Sequence, residues 1–185
     1  MSYKNFRSRV LDNLVDYCKR KCGNDKLGGI YQGKVYDHIL KIEGFNKLGV
    51  VKDYNLLCGV KADPFLIENK LHSYAHHLNS SQIMCYNFFR PLIKDKSTPK
   101  DVLIKILKKY CTGLDPSKES KCEFEYVEEY GNGTNFDFYI ENGDISVFCE
   151  IKYTEDTFKK NSDCKNPKEH SMLICKFFEK KLWKF

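Results

Sequence analysis

The sequence predicts a protein of mixed helix and strand folded as a single domain, and three observations carry that expectation. Apolar residues recur at helical spacing near the N-terminus and again after residue 98, the period changes to two from residue 122 onward, and an Asn-Gly pair at 142–143 separates two of the alternating runs. The length, 185 residues, suits one sizeable core. With 42% hydrophobic and 30% charged residues the chain has the balance of a folded protein, which excludes a disordered one.

Residues 4–21 place Phe6, Val10, Leu14 and Tyr17 on one helical stripe, with Leu11 and Cys18 beside it and Gly23 as a stop. Residues 23–72 carry seven glycines among short apolar runs, which predicts loops and brief extended pieces. The first 72 residues are therefore expected to form a helix and a loop-rich extension, with the core in 73–185. Asn79 is the expected cap of the next helix, and Gln82 at its third position could return a hydrogen bond to that cap. Pro91 should disturb the helix. A further helix is expected with Thr98 as cap, Pro99 in its first turn, Asp101 near its positive end, and a stripe of Val102, Leu103, Ile106, Leu107 and Tyr110. CEFEYVEEY, TNFDFYIE and ISVFCEIKYT then read as a three-stranded meander, and Asn166, Pro167 and Glu169 introduce a last helix at 167–183.

Lys and Arg number 31 against 25 Asp and Glu, a net charge of +6 that suits an anionic partner. The opening MSYKNFRSRV lacks the apolar stretch of a secretory signal and no run is long enough to span a membrane, so a cytoplasmic protein is expected. Nine cysteines, an odd number without paired CxxC spacing, fit reduced thiols better than a disulfide framework. Cys18 and Cys22, one helical turn apart, and His72, His76 and His77 raise a zinc site as an alternative, but that spacing is looser than a zinc knuckle.

The hairpin holds the chemistry. With Asn142-Gly143 as a two-residue loop, Ile140 faces Ile145 and Asp137 faces Phe148. Alternation then puts Asp137, Phe148, Glu150 and Lys152 on one face, with Phe136, Phe138, Ile140, Val147, Cys149, Ile151 and Tyr153 on the other, which is the core face. An exposed sheet face is ordinarily polar, which is the plain explanation for the charges. Tyr139 and Phe148 share that face, however, and imply partial burial, where a charge needs a metal or a counter-charge. Two hard carboxylates and an amine suit metal-assisted phosphodiester hydrolysis: Mg²⁺ or Mn²⁺ on the carboxylates, and Lys152 orienting the nucleophile or offsetting developing negative charge.

Asp137 followed by Glu150-Ile151-Lys152 resembles the D…ExK signature of the PD-(D/E)xK nuclease superfamily. GKVYDHIL (33–40), YAHHLNSSQIMCYNFFRPL (74–92) and TNFDFYI…FCEIKYTE resemble, in this order, its bacterial restriction-endonuclease-like branch. The resemblance implies an α/β fold with a restriction-endonuclease-like core, a mixed sheet whose central antiparallel meander is flanked by helices. It also implies metal-dependent endonucleolytic cleavage of DNA. Asp137, Glu150 and the backbone carbonyl of Ile151 become Mg²⁺ (or Mn²⁺) ligands, Lys152 the catalytic lysine, and Gln82 the candidate for the further acidic or amide group that many members draw from the preceding helix. His77, Asn79, Lys159 and Lys160 are candidate DNA contacts. By analogy with enzymes that cut both strands, a homodimer is expected.

The superfamily fold usually continues past the ExK strand with a helix and another strand. The residues after Lys152 accommodate only the helix, so the expectation is a shortened C-terminus, a sheet completed by a partner, or a degenerate member. The alternative function is accordingly a catalytically inactive nuclease-fold module for DNA binding or assembly.

Overall fold

The computed structural model describes residues 3–57, 60, 65–127 and 135–154, and the helix expected at 167–183 lies outside them. The chain divides between Pro91 and Leu92 into two compact units.

In the first unit, helix α1 (Tyr3–Cys22) ends where expected. Lys19, Arg20 and Lys21 occupy its last turn, where the helix dipole favours positive charge. Gly23, at φ +85°, turns the chain away and its N–H bonds the Lys19 carbonyl. The face carrying Leu14, Val15, Cys18 and Cys22 packs on a core of Leu27, Leu40, Val50 and Leu78.

The glycine-rich stretch is more regular than its composition predicts. Strands β1 (Leu27–Tyr31) and β2 (Lys34–Leu40) form an antiparallel hairpin. Its two-residue turn, Gln32-Gly33, has φ +50° and +74°, the sign pattern of a type I′ turn. A Cβ on Gly29 would sit 2.5 Å from Ile39 Cγ2 and 2.7 Å from the Leu40 carbonyl, so glycine here permits close packing rather than marking a loop. Residues 76–78 then run beside β2: Leu40 N–H bonds the His76 carbonyl and Leu78 N–H bonds the His38 carbonyl.

Short helix α2 (Lys47–Val50) continues into a π-helical turn, Val51–Asn55. Helix α3 (Ser81–Phe89) is capped by Ser80, whose hydroxyl accepts from Ile83 N–H. The cap is thus one residue later than expected, and Gln82 does not complete a capping box. Buried amides stitch this unit together. Asn55 donates to the Ala75 and His77 carbonyls, and Asn87 accepts from Leu57 N–H while donating to the Asn55 carbonyl. As Pro91 requires, α3 stops at Phe89 and tightens into a 3-10 turn, Arg90–Leu92.

In the second unit, Thr98 and Pro99 do not open a helix. The Asp95 carboxylate accepts from Ser97 and Thr98 N–H, folding a tight loop that lays Pro99 antiparallel to Ile93. Helix α4 (Asp101–Lys108) starts beyond it, without a side-chain cap. Its buried stripe is Leu103, Ile104 and Leu107, whereas Val102 and Tyr110 are exposed.

Strands β3 (Ser120–Val127), β4 (Asn135–Asn142) and β5 (Ile145–Cys149) form the expected meander, with β4 central. Its buried face carries Cys122, Phe124, Phe138, Ile140, Val147 and Cys149, followed by Ile151. Among the described residues every strand pairing is antiparallel, so they do not form the mixed sheet that the resemblance implies. No helix among them is long and apolar enough to cross a membrane.

Candidate functional site

The β4–β5 turn is two residues long, but those residues are Gly143 and Asp144, not Asn142 and Gly143. Asn142 pairs with Ile145, Ile140 with Val147 and Phe138 with Cys149. Gly143 has φ +58° and Asp144 does not have a positive φ, which matches a type II′ turn. Asn142 is withheld from the turn by other work. Fully buried, its amide accepts from Asp115 N–H and donates to the Asp115 carbonyl and the Ser120 hydroxyl, tying the loop before β3 to the end of β4.

The register therefore differs by two residues from the expected one, and an even shift leaves every side chain on its face. Continued one step beyond Phe138↔Cys149, it sets Asp137 across from Glu150 instead of Phe148. The Asp137 carboxylate accepts from Ile151 N–H at 2.6 Å, and Lys152 Nζ donates to Glu150 Oε1. Asp137, Glu150, Ile151 and Lys152 are thus brought together where the hairpin opens.

Burial pushes the Asp137 carboxyl up to about 7. The Glu150 and Glu125 carboxylates contribute in the same direction, while the Ile151 N–H and the Lys152 ammonium oppose the rise. On the same hairpin Tyr139 stacks on Tyr126 at 4.1 Å and meets Phe148 at 5.1 Å. Phe136, expected in the core, is only half-buried and lies 4.8 Å from Phe148.

Glu125 is not singled out by the residue pattern. In CEFEYVEEY it looks like one more outward residue of an alternating strand. It is instead 3% exposed at φ +51°, bracketed by Phe124↔Phe138 and Tyr126↔Phe136, and hence opposite Asp137. Its carboxylate accepts from the Asn135 amide at 2.8 Å. A left-handed residue inside a strand turns its neighbours off the regular alternation, which accounts for Tyr126 and Phe136 meeting the rings of the opposite face. The residue pattern carries no signal for that backbone state.

Among the described residues, no group of three or more His, Cys, Asp or Glu side chains converges to hold a metal. The pair Asp137 and Glu150 consequently needs a backbone oxygen, such as the Ile151 carbonyl, to complete a hard-oxygen donor set. Cys18 and Cys22 lie with their sulfurs 3.6 Å apart, and burial pushes the Cys18 thiol up to about 12, which disfavours the thiolate form that a zinc ligand takes.

The remaining candidates divide. Gln82, 2% exposed, accepts from His72 N–H and donates to the Lys70 carbonyl, so both ends of its amide hold the 70–72 backbone. His77 lies among aromatic rings of the first unit, and Asn79 precedes the Ser80 cap. Lys159 and Lys160 lie outside the described residues.

Residues 46–183 match the family described as Restriction Endonuclease associating with ARP. No curated protein and no solved structure matches the chain.

Proposed function

From the premise that this chain belongs to the family described as Restriction Endonuclease associating with ARP, we propose that it is a metal-dependent DNA endonuclease of the PD-(D/E)xK type. The observation that carries the reading is the meeting of Asp137, desolvated and raised to about 7, with Glu150 and Lys152 at the open end of one hairpin. A carboxyl so displaced gains most from a nearby cation, and two carboxylates with a carbonyl suit Mg²⁺ or Mn²⁺.

Asp137, Glu150 and the Ile151 carbonyl would hold the ion, which when bound supplies Lewis-acid activation of water and charge neutralisation at the phosphate. The Ile151 N–H, just beyond the end of β5, fixes the orientation of the Asp137 carboxylate. Lys152, next to Glu150, brings a positive charge that can turn toward the phosphate as negative charge grows there. In the overall step water adds to phosphorus, the bridging P–O bond breaks, and the departing oxygen takes a proton. Gln82 serves structure rather than chemistry. His77, Asn79, Lys159 and Lys160 are the proposed DNA contacts.

Nicking of supercoiled plasmid tests the proposal: activity should require Mg²⁺ or Mn²⁺ and disappear in folded Asp137→Ala and Lys152→Ala proteins. Mn²⁺ binding followed by electron paramagnetic resonance should weaken in Asp137→Ala and persist in Lys152→Ala. Alanine proteins that cleave as well as the parent sink the assignment.

A second reading, an inactive nuclease-fold module that binds DNA or assembles with the component abbreviated ARP, draws on two observations. Lys152 is already committed to Glu150, and the family description itself names an association. That module would retain DNA affinity in chelator and show no turnover with metal.

A further inference from the structure

The charge of the chain is unevenly placed. Residues 1–91 hold 14 Lys and Arg against 8 Asp and Glu, whereas residues 92–185 hold 17 of each, so the whole +6 excess belongs to the first unit. Within that unit, the β1–β2 hairpin and the 74–77 segment bring five rings into one cluster. Tyr31 meets Tyr74 at 5.3 Å and His77 at 5.5 Å, both edge to face, while Tyr74 meets His77 at 5.3 Å and His38 meets both Tyr36 and His77. A cluster of this kind is usually core, but this one is open to solvent: Tyr74 is 54% exposed, and Tyr31 and Tyr36 are half-buried.

The histidines are held neutral. Burial pushes His77 down to about 4 and lowers His38 and His76, and the positive charges of Arg7 beside His38 and Lys47 beside His76 act in the same direction. The Tyr31 hydroxyl is raised by its contact with Tyr74 and so stays protonated. The result is an uncharged aromatic surface bordered by cations, for Lys34 is the cross-strand partner of Tyr31. Stacking rings with a cationic rim complement one chemistry in particular: flat bases strung on a phosphodiester backbone. Bases within a duplex are already stacked and offer no free ring face, so the complement is an unpaired strand.

We infer that the exposed face built by Tyr31, Tyr36, Tyr74 and His77 on the β1–β2 hairpin is a binding surface for single-stranded nucleic acid, with bases stacked on the tyrosines and phosphates met by Lys34, Arg7 and Lys47. The binding requires no metal and shares only His77 with the contacts proposed for cleavage, so a titration in chelator tests it apart from hydrolysis. The whole protein, held in chelator, is titrated against a fluorescein-labelled single-stranded oligodeoxynucleotide and against its duplex by fluorescence anisotropy. The single strand should bind more tightly. Tyr74→Ala should weaken that binding roughly 5- to 100-fold and Tyr74→Phe should keep it, because stacking needs the ring and not the hydroxyl. Lys34→Ala should reduce the salt slope by about one. Equal binding by Tyr74→Ala and parent, equal weakening by Tyr74→Phe and Tyr74→Ala, or preference for the duplex overturns the inference. So does a result in which Tyr74→Ala alters sedimentation but not oligonucleotide affinity, which would make the face a protein-docking surface.

Discussion

Asp137→Asn in metal-free protein isolates the energetic consequence of placing this carboxyl at the hairpin mouth. A folded-state value of about 7 against the ordinary 3.8 of an aspartate means that, between these values, the folded chain binds more protons than the unfolded one. Stability present at low pH is therefore lost as pH rises through that window. Three units correspond to roughly 4 kcal/mol at ~1.4 kcal/mol per unit, and residual solvent access reduces this to about 2 kcal/mol. Asparagine has nearly the same shape, does not titrate, and can keep an oxygen toward the Ile151 N–H. Urea unfolding followed by circular dichroism in chelator should find the variant and parent similar near pH 4, and the variant more stable by about 2 kcal/mol near pH 8. Added Mg²⁺ should close that gap by stabilising the parent alone. A difference between the two proteins that stays constant from pH 4 to pH 8 would refute the reasoning, because it would mean that Asp137 is not desolvated.

Other expectations follow from single contacts. Asn142→Ala should cost about 2–4 kcal/mol in urea unfolding, since it strips partners from Asp115 and Ser120 at a buried position. Gln32→Asn should raise stability by roughly 0.5–1 kcal/mol, because asparagine tolerates the left-handed conformation that Gln32 adopts at φ +50°. Cys18 should resist iodoacetamide in the native protein near pH 8 and react once urea unfolds it; alkylation of the folded chain at the rate of a free thiol would contradict its burial.

Much of the candidate site is legible in the residues because its placement depends on parity. Any two-residue loop puts Asp137, Glu150 and Lys152 on one face, whether the turn is Asn142-Gly143 or Gly143-Asp144. Turn identity was not legible, because Asn-Gly is read locally as turn chemistry, while the buried loop at Asp115 and Ser120 draws the Asn142 side chain into the strand. The same competition moved the start of α4. Thr98 and Pro99 suit a helix N-terminus, yet the Asp95 carboxylate folds them back against Ile93. In the first unit, glycine content reads as loop because a sequence does not reveal which glycines are needed for two strands to touch, as Gly29 is against Ile39.

Alternation and helical spacing, which depend only on the order of polar and apolar residues, were enough to identify the meander, the first helix and the shared face of the two acids and the lysine. The surroundings of those groups came from the folded chain. Glu125 in a left-handed conformation opposite Asp137, and the ring contacts of Tyr31, Tyr74 and His77, join residues far apart in sequence. Desolvation and aromatic packing are properties of what surrounds a group in space, and that becomes definite only once the chain has folded.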